Sequence, residues 1–216
     1  MRSLVQEVQS SFGNLSGRLV CDVGCNDGSL LSFFKQAGAR TCGIEPTGAA
    51  ADAQAAGHHV IQDYFSPKSA ARLVAEVGKP DVITFTNVFA HIESLKEAID
   101  AVKVLAGERT ILVIENHYLG SVLAGNQFDT FYHEHPRTYS FRSFEFIAKS
   151  LGGEVLLATF PKRYGGNIRV CIGNMQGGKS HGKPAGADAR GTNESNFAAD
   201  LAKMQQFVEK WTVDTR

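Results

Sequence analysis

The chain has 216 residues, 43% of them hydrophobic and 20% charged, and its lysines and arginines balance its aspartates and glutamates to a formal net charge of zero. That composition supports one ordinary domain with a full core and excludes a disordered chain. A neutral total gives no electrostatic footprint for nucleic acid or an anionic membrane, no apolar run reaches transmembrane length, and no secretory leader opens the chain, so the expectation is a cytoplasmic protein that binds neither nucleic acid nor membrane.

From residue 19 onward, apolar runs alternate with helical periodicities. Arg18 to Val23 reads as a buried strand ending in a glycine turn, and Leu30, Leu31, Phe34 and Ala37 then recur at helical spacing. Arg40 to Ile44 is a second strand, residues 48–56 an alanine-rich helix, His59 to Ile61 a third strand and 67–77 a helix. Asp81 to Phe85 is a fourth strand; Leu95, Ala98, Ile99, Val102 and Leu105 mark a helix; Thr110 to Ile114 is a fifth strand. Residues 116–139 have no clean period and are dense in polar and aromatic side chains. A helix at about 141–151 precedes two strands, Glu154 to Thr159 and Asn167 to Ile172. Cys21, Cys42 and Cys171 fall in strands and Cys25 in the first turn; with no CxxC pair, these read as small buried thiols.

Strands alternating with helices imply parallel pairing through right-handed crossovers. The expectation is a doubly wound, Rossmann-like α/β fold with a seven-stranded sheet whose last strands are antiparallel. Residues 1–173 form this domain. Residues 174–195, rich in Gly, Lys, Ser and Ala, read as a flexible linker. Residues 196–216 hold an amphipathic helix with Phe197, Leu201, Met204, Phe207, Val208 and Trp211 on one stripe, a surface for a second copy or a further domain.

Such sheets bind ligands at the carboxyl ends of their strands. The first turn, Asp22-Val23-Gly24-Cys25-Asn26-Asp27-Gly28-Ser29, lacks the GxGxxG spacing of a dinucleotide site, and Asp27 at the helix N-terminus would repel a pyrophosphate. An S-adenosylmethionine, with an ammonium, a carboxylate and a sulfonium but no phosphate, suits this D-x-G-x-x-x-G turn. Asn26 or Asp27 can also simply cap the helix. Glu45, closing the second strand, is placed to accept both ribose hydroxyls. Asp63 can take the adenine amino group while Tyr64 or Phe65 covers the ring, or the aromatic packs in its loop. Asn87 and His91 follow the fourth strand, within reach of the methionine end.

The aperiodic stretch carries His117 and then Tyr132-His133-Glu134-His135. His133 and His135, with His117 and Asp129, have the makings of a metal site. Methyl transfer from a sulfonium needs no metal; it needs a nucleophile made by removing a proton, and a histidine of ordinary pKa about 6.5 suits that at neutral pH. Tyr132 can bond a developing oxyanion, and Glu134 can orient an imidazole or a hydroxyl.

The runs Asp22 to Leu31, Gly43 to Pro46, Asn87 to Ile92 and Phe128 to His135 resemble the sugar C-methyltransferases of deoxysugar biosynthesis, within the class I S-adenosylmethionine-dependent methyltransferases. Tyr164-Gly165-Gly166-Asn167-Ile168-Arg169 is similar to that family's His-Gly-Gly-Ser-Leu-Arg stretch. The resemblance covers about residues 1–173. It implies that a nucleotide-linked keto-deoxysugar loses a proton next to its ketone to His135, with Tyr132 and Glu134 around the sugar, and that the enolate carbon takes the methyl group. Family members also carry a cysteine-rich zinc module before this region and a second Rossmann-like domain after it. Two other readings stand beside this one: O-methylation of a sugar or small-molecule hydroxyl, and a non-catalytic domain that serves assembly.

Overall fold

The computed structural model describes residues 1–131, 136–178, 181–182 and 194–214. Its elements are α1 (Arg2–Phe12), β1 (Leu19–Val23), α2 (Ser29–Gln36), β2 (Arg40–Ile44), α3 (Ala50–Ala55), β3 (His59–Ile61), α4 (Pro67–Val77), β4 (Val82–Thr86), α5 (Leu95–Leu105), β5 (Ile111–His117), α6 (Leu119–Ala124), α7 (Phe141–Ser150), β6 (Glu154–Thr159), β7 (Asn167–Gly173) and α8 (Phe197–Asp214). Three differ materially from the sequence expectation. The helix α1 has no counterpart there, because its apolar positions Leu4, Val5 and Val8 are diluted by polar neighbours. The fifth strand runs on through Glu115, Asn116 and His117, and α6 occupies part of the stretch read as aperiodic.

The seven strands form one sheet in the order β3-β2-β1-β4-β5-β7-β6. The first five pair in parallel, and β7 runs antiparallel to both β5 and β6. Strand order reverses between β1 and β4, so the chain leaves these two neighbours toward opposite sides and opens a crevice at their carboxyl ends.

Alternation along the strands builds a core on each face. Cys21 and Val23 join Ile44, Phe85, Leu73, Val102 and Phe144 on one side. Val20 joins Leu4, Val8, Leu15, Phe34, Val113 and Cys171 on the other, where α1 and α2 lie. Helix starts follow local chemistry. Ser66 and Ser140 each form a capping box three residues ahead, with Ser69 and Ser143, and Ser94 accepts from the Glu97 N–H. All of Cys21, Cys25, Cys42 and Cys171 are free and buried.

Two buried carboxylates tie distant segments together. Glu194 accepts from the N–H groups of Phe141 (2.6 Å) and Arg142 (3.1 Å) at the start of α7 and from the Tyr118 hydroxyl (3.2 Å), a use of helix-end donors that the sequence did not reveal. Glu115 of β5 accepts from Arg169 Nε of β7 at 2.7 Å, while Arg169 Nη1 lies 3.1 Å from Glu7 of α1. The segment after β7 includes Met175, which is buried in the core rather than free. The stripe on α8 is partly covered by the chain itself: Met204 is buried, and Phe207 and Trp211 pack against Phe128 at ring distances of 6.4 and 5.4 Å. Among the described residues no helix is long and apolar enough to cross a membrane.

Arg169→Ala would remove the nearer cation from the fully buried Glu115 carboxylate and leave only Arg163, at 3.6 Å. The expected loss is about 3–5 kcal/mol of folding stability, the scale for breaking one side of a buried pair, read from urea denaturation; a loss below about 1 kcal/mol would show that Glu115 does not depend on Arg169.

Candidate active site

A cleft of about 600 Å³ opens above the carboxyl ends of β1, β2 and β4, lined by residues that include Gly24, Ile44, Pro46, Tyr64, Phe65, Val88, His91 and Ile92. Its floor is the contact between the turn after β1 and the segment after β4. Gly24 has φ of 69°, and a methyl group added there would lie 2.5 Å from Val88 Cγ2, so both the backbone angle and the close approach demand glycine. Gly28, at the N-cap of α2 with φ of 79°, is equally constrained, since an added methyl would meet His58 Cδ2 at 2.6 Å.

Glu45 is buried and pins the turn. Its Oε2 accepts from the Asn26 N–H at 3.0 Å and its Oε1 from the Thr47 N–H at 2.9 Å. Each carboxylate oxygen keeps a lone pair beyond these bonds. Asn26 itself is exposed and takes φ of 51°, a conformation that asparagine tolerates better than most residues. Asp27 is exposed, and its Oδ1 accepts from the Ser29 N–H at 3.0 Å. Hydrogen bonds from the Ser29 side chain and backbone hold its carboxyl below the usual range, so a fixed negative charge stands at the start of α2. Gly28 holds the N-cap position, and it is Asp27 rather than Asn26 whose side chain takes the first helical N–H, in the Asx manner.

Asp22 lies beneath the turn, buried, with Oδ1 accepting from the Thr84 hydroxyl at 2.6 Å. Burial pushes its carboxyl up to about 7, against the hydrogen bond from Thr84, and the nearby Glu45 carboxylate pushes the same way as burial. Phe65 packs edge-on to Phe85 at 5.3 Å, the first contact in a run of rings that continues through Phe89 and Tyr139 to Phe144. Tyr64 is 77% exposed at the rim, and Asp63, also exposed, accepts from the Tyr64 N–H. His91 ends a short 3₁₀ turn, Phe89–His91, and lines the cleft. Asn87, with φ of 55°, is bonded to β5 and β7: its N–H donates to the Glu115 carbonyl (2.8 Å) and its Oδ1 accepts from Asn167 Nδ2 (3.2 Å).

Of the residues read from the sequence, Gly24, Tyr64, Phe65 and His91 line the cleft; Asp22, Asn26, Asp27, Gly28 and Glu45 belong to the strand ends and the turn beside it, Asn87 precedes the lining residue Val88, and Asp63 precedes Tyr64. Tyr132, Glu134 and His135 lie outside the described residues. Sequence reasoning missed Glu93 and Glu97 as cleft residues, and Glu115 with Asn167 as partners of Asn87. Glu93 and Glu97 line the cleft, and no lysine or arginine does so among the described lining residues. Carboxylates on a cleft wall favour a cationic ligand over a phosphate, which suits the sulfonium and ammonium of S-adenosylmethionine.

The raised Asp22 has a consequence for stability. The folded chain holds its proton more tightly than the unfolded chain does, so this group's contribution is full below about pH 4 and is lost as pH rises toward 7. Asp22→Asn keeps an oxygen for the Thr84 hydroxyl and removes the titration. The variant is expected to gain stability relative to the parent as pH goes from 4 to 8, measured as the difference between their denaturation free energies; a difference that is flat with pH would contradict the raised value.

A family model described as a methyltransferase domain matches residues 1–158. Among curated proteins, the C-methyltransferase NovU of Streptomyces niveus is 28% identical over 209 residues, 96% of this chain and 50% of that protein, so the chain spans about half the length of this relative. Magnesium protoporphyrin IX methyltransferase ChlM of Synechocystis PCC 6803, solved with bound SAH, shares the fold with a TM-score of 0.59 and 22% identity over 79% of this chain and 80% of its own. A SAM-dependent methyltransferase of Anabaena variabilis ATCC 29413 gives a TM-score of 0.60 and 16% identity over 80% of this chain and 84% of its own. With the family model covering most of its length and the sheet order and crevice described above, the chain belongs to the methyltransferase-domain family and has the class I methyltransferase fold.

Proposed function

We propose that this methyltransferase takes its methyl group from S-adenosylmethionine and places it on a carbon of a nucleotide-linked keto-deoxysugar. The observation that carries the reading is the similarity along 96% of the chain to a protein named as a C-methyltransferase. The cofactor supplies an electrophilic methyl group on a sulfonium. Glu45 would accept the ribose hydroxyls, Asp63 the adenine amino group, and Phe65 with Tyr64 would cover the ring. Asp22, Asn87 and His91 would serve the methionine end, and Gly24 and Gly28 would let the backbone approach.

On the acceptor side His135 removes the proton next to the ketone, charge moves onto the ketone oxygen, and Tyr132 and Glu134 act as its neighbours. Stabilising that oxyanion by fixed donors is a large part of lowering the barrier. Arg137, two positions after His135, supports this assignment. It donates to the carbonyls of Ile92 (2.5 Å) and Glu93 (2.8 Å), both residues of the cleft lining, so Arg137 itself is fixed at the cleft wall.

Three measurements test the reading. Calorimetry with S-adenosylhomocysteine is expected to show binding by the parent chain, near-parent binding by His135→Ala, and a loss of about tenfold or more in Glu45→Ala, the scale of lost hydrogen bonds to a charged group. Incubation of nucleotide-linked keto-deoxysugars in deuterated water without methyl donor is expected to exchange the proton next to the ketone, and His135→Ala to abolish that exchange. Mass spectrometry of the product is expected to place the new methyl on carbon. A methyl on oxygen would replace carbon transfer with hydroxyl transfer, and the absence of S-adenosylhomocysteine binding would remove the donor itself.

A further inference from the structure

The antiparallel direction of β7 brings its first residues to the same edge of the sheet as the carboxyl ends of β4 and β5. There Glu115, Asn167 and Arg169 are 0%, 0% and 2% exposed. Glu115 Oε2 accepts from Arg169 Nε at 2.7 Å, and Arg169 Nη2 lies at the same distance. Glu115 Oε1 accepts from Asn167 Nδ2 at 3.1 Å, with Arg163 Nη1 at 3.6 Å. The same Asn167 nitrogen donates to Asn87 Oδ1 at 3.2 Å.

The polarity of this chain of groups is fixed from one end. A carboxylate paired with a guanidinium only accepts, so Asn167 must turn its NH2 toward Glu115. That nitrogen has a second hydrogen, which points to Asn87, so Asn87 must turn its carbonyl oxygen toward β7. Reversing Asn167 would set oxygen against oxygen, and reversing Asn87 would set one NH2 against the other. The arrangement persists although it leaves Asn167 Oδ1 buried without a partner, a cost that a neutral pair of amides free to choose would avoid. What Asn87 has left to offer is its own NH2, a donor. Asn87 sits between Thr86, the last residue of β4, and Val88, whose methyl groups meet Gly24 on the cleft floor.

We propose that Arg169, Glu115 and Asn167 are positioning residues that hold the Asn87 amide with its NH2 toward the methionine end of the cofactor, so that Asn87 donates to the cofactor's carboxylate and is turned against its ammonium. The proposal rests on the reading that the cleft holds S-adenosylmethionine. It assigns β7, a strand with no residue among the described cleft lining, a part in orienting the donor.

Arg169 and Glu115 are unsuited to the test, because removing either strands a buried charge. Asn167→Ser leaves one hydroxyl hydrogen, enough for Glu115 or Asn87 but not both. Asn87→Asp keeps the oxygen toward Asn167, tolerates the same backbone angle, and replaces the NH2 by an oxygen. Binding is read by calorimetry for S-adenosylhomocysteine and for its decarboxylated analogue, which keeps the ammonium and lacks the carboxylate. Each variant is expected to bind S-adenosylhomocysteine about tenfold or more weakly while binding the decarboxylated analogue as tightly as the parent or better. Asn167→Ser is expected to add no further loss in the Asn87→Asp background, because the relay acts through Asn87 alone. An equal loss for both ligands would reduce the network to a structural element, and unchanged or additive effects would overturn the relay. Failure of the parent chain to bind S-adenosylhomocysteine would instead remove the donor reading on which the proposal stands.

Discussion

The ion pair between Glu115 and Arg169 holds the functional edge of this fold together. In a fully parallel sheet every strand ends at the site, and only carboxyl-terminal residues reach it. Here β7 runs against its neighbours, so its beginning, Asn167 to Arg169, meets the ends of β4 and β5. The pair is buried where its desolvation is expensive; Glu7 sets a second carboxylate 3.1 Å from Arg169 Nη1, and Asn167 donates to Glu115. A pair of apolar side chains could fill that space with less penalty. What apolar residues could not do is impose a direction on the amides around them, and direction is what the segment after β4 receives.

The cleft itself obeys a second electrostatic rule. Dinucleotide sites of similar topology greet a diphosphate with bare backbone at a helix N-terminus. This chain puts the Asp27 carboxylate there, with Glu93 and Glu97 on the cleft wall and Glu45 pinning the turn. Asp22 lies below them, far enough from water that its own charge is resisted near neutral pH. A cation entering the cleft would oppose that effect and favour the charged form of Asp22.

Much of the fold was legible because its strands are buried on both faces and its helices carry regular apolar stripes. The spans Arg40–Ile44, His59–Ile61, Pro67–Val77 and Glu154–Thr159 agree to the residue. The turn around Gly24 was legible too, since Gly24 and Gly28 with acids on either side suit a tight bend that meets a cationic ligand. Failures came where polar residues do the work of apolar ones. Glu115, Asn116 and His117 ended the apolar run and looked like loop, yet they are strand, paired with Arg169, Ile168 and Asn167 far along the chain. Nothing local at Glu115 announces a partner on β7. The helix α1 was hidden for a related reason, because only a narrow strip of it, Leu4, Val5 and Val8, is buried. Glu194 likewise gives no local sign that it caps a helix that begins at Phe141.

The residues proposed for the two halves of the reaction come from different parts of the chain. Residues proposed for the methyl donor come from the parallel strands β1, β2 and β4, whose turns are locked by glycine geometry and by Glu45. The segment proposed for the acceptor lies between Phe128, packed on α8, and Tyr139, whose ring stacks on Phe144 at 5.1 Å and whose hydroxyl donates to the Phe89 carbonyl. Phe89 belongs to the 3₁₀ turn that ends at His91 in the cleft wall. That shared turn, together with Arg137 on the carbonyls of Ile92 and Glu93, is the physical link between the two sides. On the proposed assignment, a change of acceptor falls to the segment between Phe128 and Tyr139, while the glycine turn stays as it is. A change at Phe89 or Arg137 would disturb both sides at once.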